Sequence, residues 1–250
     1  MRETPDDFFS GPQWAGIQRP KSSIDLLPVV REIAGNRLLL GVSGKDSIAA
    51  WLFLREQGFQ IIPYMMWTVP GGLSYERESR EYYQDFFKTP IHFLPHPNFF
   101  KAWRSGEYQS PITVAMNKGT QLQEIDYYQL EDALAKRHNL GDSYLSAIGY
   151  RAADNPGRRR MINNMGAVYV SGKRHYYYAV WDWVIADIMT ILHKHNCKLS
   201  RAYSMFGCTF DEYNWNDLLI LNQVSRADYD LIKSFFPLVG TKVLRFFDVG

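Results

Sequence analysis

Leu38-Leu39-Leu40-Gly41-Val42-Ser43-Gly44-Lys45-Asp46-Ser47, continuing into Ile48-Ala49-Ala50-Trp51-Leu52-Phe53-Leu54, is the stretch on which the reading of the chain turns. An apolar run of strand length breaks at a Gly/Ser turn and re-emerges with Ile48, Trp51, Leu52 and Arg55 at helical spacing, until Gly58 stops the pattern. The spacing predicts strand, turn, helix. The first N–H groups of such a helix have no partner within it and lie at the positive end of its dipole, so an anion is stabilised there. Gly41 and Gly44 let the backbone approach a ligand, Ser43 and Ser47 offer hydroxyls, and Lys45 adds a full positive charge. Asp46 has two readings, as a ligand for Mg²⁺ or as a cap on the helix.

Two familiar motifs do not fit. A Walker loop places four residues between its glycines and ends in Lys-Ser/Thr, whereas here only Val42 and Ser43 separate Gly41 from Gly44, and Asp46 follows Lys45. A nucleophile elbow would need glycine where Lys45 stands. The stretch instead resembles the PP-loop of the ATP pyrophosphatase and phosphoadenosine phosphosulfate (PAPS) reductase superfamily, Ser-Gly-Gly-Lys-Asp-Ser. Gly44-Lys45-Asp46-Ser47 match its last four residues, while Val42 and Ser43 replace its first Ser and Gly, which leaves one hydroxyl contact to phosphate without its usual residue.

The 250 residues, 46% hydrophobic and 22% charged, suffice for one large α/β domain or a domain with a small appendage. A net charge of +2 is by itself no argument for nucleic acid. Cys197 and Cys208, the two cysteines, cannot furnish a four-thiolate cluster or a disulfide scaffold, and a reducing cytoplasm is the setting they suit. The start, with Asp6 and Asp7, lacks the basic and apolar regions of a signal peptide, and no apolar run approaches membrane-spanning length. A cytoplasmic protein without an anchor is expected.

In chain order, residues 1–22 read as an extended arm that packs through Phe8, Phe9 and Trp14. Leu26, Leu27, Val30 and Ile33 give a helical face ending at Gly35. After the Gly/Ser turn and its helix, residues 60–68 form a second strand leading to Pro70-Gly71-Gly72, and Ser74 is placed to cap the next helix, with Tyr82, Tyr83, Phe86 and Phe87 along its apolar side. A brief third strand spans 91–94. His92 and His96 have the spacing of a helical metal pair, but Pro95 and Pro97 forbid a helix there. Residues 101–119 read as an irregular covering loop, Thr120 with Gln123 as the capping box of a helix that ends at Gly141, and 143–148 as a fourth strand. Such alternation predicts an α/β fold with a doubly wound, mainly parallel sheet, whose ligands bind at the carboxyl ends of the strands.

The fourth strand delivers a second chemical segment, Gly149-Tyr150-Arg151-Ala152-Ala153-Asp154-Asn155-Pro156-Gly157-Arg158-Arg159-Arg160. Arginine forks grip phosphate or sulfate oxygens in pairs, so the cluster suits a polyanion, although a run such as Arg158-Arg159-Arg160 also occurs on solvated turns. PAPS reductase-like proteins carry Gly-x-Arg-x-x-Glu-Ser-x-x-Arg at this place. Gly149, Arg151 and Arg158 match it, and Asp154 and Asn155 stand where Glu and Ser are usual.

Residues 168–178 have the alternation of a hairpin turning at Gly172-Lys173, and Val184, Ile185, Ile188, Met189 and Leu192 form a core-facing helical stripe. His193, His195 and Cys197 fit solvated helix-end groups better than a metal set, since residues two apart on a helix diverge. Trp181-Asp182-Trp183, Tyr203 and Phe206-Gly207-Cys208 are loosely similar to the family's C-terminal region. Short helices then begin near Asp217 and at Ser225, and 241–247 alternate like an edge strand. The expected organisation is an arm (1–22), a nucleotide-binding α/β domain of the adenine nucleotide alpha-hydrolase-like type (23–195) and a small helical appendage (196–250).

The resemblance implies ATP and Mg²⁺ as cofactors. Ser43, Gly44, Lys45, Asp46, Ser47, Gly149, Arg151 and Arg158 would bind the adenine nucleotide. Lys45, Arg151 and Arg158 would be catalytic, and Asp46 would take the metal. The implied reaction is cleavage of ATP between the α and β phosphates to adenylate an acceptor drawn from nucleotides or nucleic acids. Sulfonucleotide reduction is an alternative, but the terminal Phe247-Asp248-Val249-Gly250 lacks the Glu-Cys-Gly-Leu-His nucleophile of such reductases, leaving Cys208, which a small core cysteine explains as well. A nucleotide-binding regulatory module is a further alternative.

Overall fold

The computed structural model describes residues 22–119, 125–141, 144–171, 174–210 and 213–241. Strand β1 (Arg37–Gly41) carries three consecutive buried leucines, as a strand covered on both faces requires. It runs parallel to β2 (Gln60–Trp67) from Arg37 opposite Gln60 to Gly41 opposite Tyr64, and on its other side parallel to β4 (Ser146–Ile148). With β3 (His92–Pro95), β5 (Val168–Ser171) and β6 (Arg174–Tyr178) these form a six-stranded sheet in the order β3-β2-β1-β4-β6-β5. β6 is parallel to β4, and only the hairpin partner β5 is paired antiparallel to it.

Helices α1 (Leu27–Ala34), α2 (Lys45–Glu56), α3 (Ser74–Phe87), α4 (Pro97–Ser105), α5 (Pro111–Gly119), α6 (Tyr127–Arg137), α7 (Pro156–Met165), α8 (Ile185–Lys194), α9 (Arg201–Phe206), α10 (Trp215–Val224) and α11 (Arg226–Phe235) complete the chain, with helices on both sides of the sheet. This is the doubly wound α/β fold that the alternation of elements predicts. The strand order proceeds outward from β1 to β3 and then reverses to place β4 on the opposite side of β1. Such a reversal opens a crevice beyond the carboxyl ends of β1 and β4. The Gly/Ser turn leaves the first of those ends and the arginine segment leaves the second. Among the described residues no helix is long and apolar enough to cross a membrane.

Two compact units divide the chain: residues up to Tyr64 with Tyr128–Lys198, and Met65–Tyr127 with the residues from Leu199 onward. The border crosses β2 between Tyr64 and Met65. In the first unit α2 is buried from Ser47 through Leu54, and Phe53 meets Trp183 edge-on at 5.3 Å. The second unit joins 65–127, which the sequence analysis assigns to the nucleotide domain, to the C-terminal helices. Its segments share one core of Val69, Leu73, Tyr75, Phe99, Leu218, Leu221, Ile232 and Phe236. None of them has an apolar face large enough to be covered alone.

Other departures from the sequence reading have local causes. Residues 101–119 are largely helical, because Pro97 and Pro111 stand at the first positions of α4 and α5, where an N–H would have no acceptor within the helix. His96 caps α4 by accepting the Asn98 N–H at 3.2 Å, and Gly106, at φ 74°, closes that helix. Ser74 does not cap α3. Leu73 holds the cap position, and the Ser74 N–H and hydroxyl are both bound by Asp228 of α11. Cys208 is exposed, so it is not a core cysteine, whereas Cys197 is buried. The N-terminal arm, the Thr120–Gln123 capping box, the Gly172-Lys173 turn and most of the 241–247 strand lie outside the described residues.

Candidate functional site

The turn between β1 and α2 is built by one hydroxyl. Ser47 Oγ accepts the N–H groups of Ser43 at 2.9 Å and Gly44 at 3.1 Å, and donates to the Gly44 carbonyl at 2.8 Å. Gly44 caps the helix in an extended conformation, and the Ile48 N–H makes the first helical bond to its carbonyl. The Ser47 hydroxyl, read from sequence as a ligand donor, therefore spends its bonds on the turn. The N–H groups of Asp46 and Ser47 belong to the first turn and have no acceptor within the helix.

The loop after β4 closes directly on this helix start. A Cβ at Gly149 would lie 2.6 Å from the Ser47 nitrogen and 2.7 Å from the Asp46 carbonyl carbon, so only glycine permits the approach. Two segments about a hundred residues apart in sequence thus meet through their backbones. Arg151, the next residue but one, is 7% exposed and carries its guanidinium to the same place, with Nε 2.9 Å from Asp46 Oδ1.

Charges alternate through the site. Asp46 lies between Lys45 Nζ, 3.1 Å from its Oδ2, and Arg151. Arg151 Nη2 donates to Asp154 Oδ1 at 2.5 Å, and the second Asp154 oxygen binds Arg158. Three cations and two carboxylates leave a net positive site. The Arg151 Nε and Asp46 Oδ1 pair is close but misaligned, so neither buried atom has a formal hydrogen-bond partner. An N–H held in this way beside a helix start suits a phosphate oxygen.

Beyond Arg151 the segment is helical as well as loop-like. Asn155 caps α7 by accepting the Arg158 N–H at 2.8 Å, and Pro156 opens the helix. The Arg158 guanidinium lies 4.1 Å over the Tyr150 ring, which stacks on Tyr178 at 6.2 Å. Arg159 and Arg160 are exposed, as solvated cations would be.

Glu131 of α6, which sequence reasoning missed, supports the turn from below. Its Oε1 accepts the hydroxyls of Tyr64 at 2.5 Å and Ser146 at 2.8 Å, one from each strand flanking β1. Burial pushes this carboxyl above its ordinary range and the Tyr64 phenol well above its own, and their mutual repulsion when charged adds to the second effect. Tyr64 packs so closely that a Cβ on Gly41 would lie 3.1 Å from its oxygen. A Glu beside Asp132 amid helix-forming residues reads as part of a solvated helix face and carries no sequence signal of such a role.

The metal reading rests on Asp46 alone. Among the described residues no three His, Cys, Asp or Glu side chains gather as a metal set. One carboxylate beside a phosphate seat does fit Mg²⁺, which ordinarily takes one or two carboxylates plus substrate oxygens. His195 and Lys194 instead bind Glu56, each at 2.6 Å, and these contacts hold the Glu56 carboxyl below its ordinary value.

No protein-family model matches this chain, and no curated protein sequence does. Among solved structures it is similar to the U34-tRNA thiolase NcsA from Methanococcus maripaludis with its [4Fe-4S] cluster. The two are 11% identical over 86% of this chain and 78% of that one, with a TM-score of 0.45. At that similarity the likeness concerns the course of the chain and none of its chemistry.

Proposed function

We propose that this chain is a PP-loop enzyme that binds ATP with Mg²⁺ and cleaves it between the α and β phosphates to adenylate an acceptor. The observation that carries the reading is the contact of Gly149 and Arg151 with the start of α2, at the reversal point of the sheet. Both segments that resemble the family's motifs contribute to one net positive seat.

In this reading the nucleotide's phosphates lie on the first turn of α2, on the N–H groups of Asp46 and Ser47 and the Lys45 ammonium. Arg151 and Arg158 offset the charge that develops as an acceptor oxygen attacks the α-phosphorus and the bridging oxygen leaves with pyrophosphate. Asp46 would hold Mg²⁺, which when bound neutralises phosphate charge and favours departure of the pyrophosphate. Asp154, held between both arginines, keeps their forks in register. The acceptor belongs to the nucleotides or nucleic acids, for which the exposed Arg159 and Arg160 offer phosphate contacts.

Thermal unfolding with ATP and Mg²⁺ tests this reading. At ~100 times its dissociation constant the ligand stabilises the native state by about 2.7 kcal/mol, and Lys45→Ala abolishes the shift. A shift with PAPS alone would replace adenylation by reduction, an activity that Cys208→Ser would then abolish while leaving the shift in place. No shift with either nucleotide would overturn the phosphate seat.

A further inference from the structure

The seat for an anion at the start of α2 is already taken by a side chain of the protein. Asp46 stands on the first turn, where a carboxylate is favoured by the helix dipole. One of its oxygens faces Lys45 at 3.1 Å and the other faces the buried Arg151 at 2.9 Å. These are two of the three cations on which a phosphate would depend. The hold is firm in charge but poor in geometry, since Arg151 Nε and Asp46 Oδ1 make no aligned hydrogen bond. Arg151 itself stays in place if Asp46 leaves, because Nη2 is bound to Asp154 at 2.5 Å.

We propose that Asp46 is a selectivity gate: its carboxylate occupies the cationic seat between Lys45 and Arg151, rejects anions that arrive alone, and yields to a phosphate accompanied by a divalent cation. The proposal rests on the phosphate-binding reading above and adds to it the form of the ligand. A bare polyanion approaching the seat meets a carboxylate it must displace from both cations and then lie beside, two like charges at close range. A phosphate carrying Mg²⁺ supplies the displaced carboxylate with a cation in exchange for the two it gives up. The alternating order of charges favours this exchange, because a donor turned toward the carboxylate is not at the same time turned toward a phosphate.

Isothermal titration with sodium pyrophosphate, with and without Mg²⁺, tests the gate. Wild type is expected to bind about tenfold more tightly with Mg²⁺, and Asp46→Asn to bind metal-free pyrophosphate about tenfold more tightly than wild type while losing most of the Mg²⁺ advantage. Asp46→Ala serves as a second variant that also empties the seat. Asp154→Asn removes the same charge from the same network without emptying the seat, and it should bind metal-free pyrophosphate no more tightly than wild type. Equal tightening in Asp46→Asn and Asp154→Asn would reduce the effect to net charge and overturn the gate. So would metal-free binding by Asp46→Asn and Asp46→Ala no tighter than wild type. If pyrophosphate binds none of the proteins under either condition, the phosphate seat itself is wrong and the gate falls with it.

Discussion

The chain makes two strand-turn-helix passages through glycine-containing turns, Gly41-Val42-Ser43-Gly44 before α2 and Pro70-Gly71-Gly72 before α3. In both, the third helical residue reaches back over the turn. Ser47 accepts the N–H of the cap residue Gly44 and of Ser43, and Glu76 accepts the N–H of the cap residue Leu73 at 2.7 Å and of Thr68 at 3.0 Å. The hydrogen-bond plan is shared, but the charge is not. At α3 a second carboxylate, Asp228, takes the Ser74 N–H at 2.8 Å, so the positive end of that helix faces two acids of its own. At α2 a neutral hydroxyl shapes the turn, and the acid on its first turn is drawn to Lys45 and Arg151. Both helix starts are thus met by the protein's own carboxylates, but at α3 the acids are bound to backbone N–H groups, whereas at α2 the acid is held on two cations, Lys45 and Arg151, which also suit a phosphate.

The largest effect is expected at Asp228. Asp228→Ala removes the buried acceptor of the Ser74 N–H and of the half-buried Ser74 and Ser225 hydroxyls. A loss on the order of 4 kcal/mol in urea unfolding is expected.

Glu76 gives the next largest effect, through pH. Burial, opposed by its hydrogen bonds from Thr68 and Leu73, raises its carboxyl from 4.5 to about 7. The folded state therefore favours the protonated form. The associated stability is complete below the unfolded value, declines as pH rises from 4.5 and is gone above about 7, a change of ~3 kcal/mol at most. Glu76→Gln should remove that part of the slope between pH 4.5 and 7, whatever its absolute stability.

On the α2 side, Gly149→Ala forces a methyl against rigid backbone. A loss of about 2 kcal/mol is expected, together with loss of the ATP-dependent thermal shift, because the arginine segment must withdraw from the helix start. Ser47→Ala should be mildest, about 1 kcal/mol by thermal unfolding, the ordinary worth of a cap-type bond. A loss in Ser47→Ala as large as in Asp228→Ala would mean that charge does not distinguish the two turns.

Much of the fold was legible because its signals are local. Leu38–Leu40 with the Gly/Ser turn, the alternation of 168–178 and the apolar stripe of 184–192 are short-range patterns, and the corresponding elements are β1, the hairpin and α8, although only Ile188 and Leu192 of that stripe are buried and Val184 and Ile185, at the start of the helix, are exposed. The candidates Ser43, Gly44, Lys45, Asp46, Ser47, Gly149, Arg151 and Arg158 were named from two contiguous runs of suitable chemistry, and the structure brings those runs together at Gly149 and Arg151. The helices within 101–119 were not legible, since proline marks both the end of a helix and its first position, and only the capping contacts of His96 and Ser110 resolve which.

Each turn's available groups, their charges, their hydroxyls and the glycines that let backbones come close, are written in the local sequence. How those groups pair is a property of the folded chain. That Asp46 faces Arg151, that Asp228 takes the donors of Ser74, that Tyr64 and Ser146 share one oxygen of Glu131, and that 65–127 shares a core with the C-terminal helices all depend on residues far apart along the chain. The reason is physical: a side chain's partner is set by the burial and strand order that bring two segments together, and no periodicity or local spacing encodes that meeting.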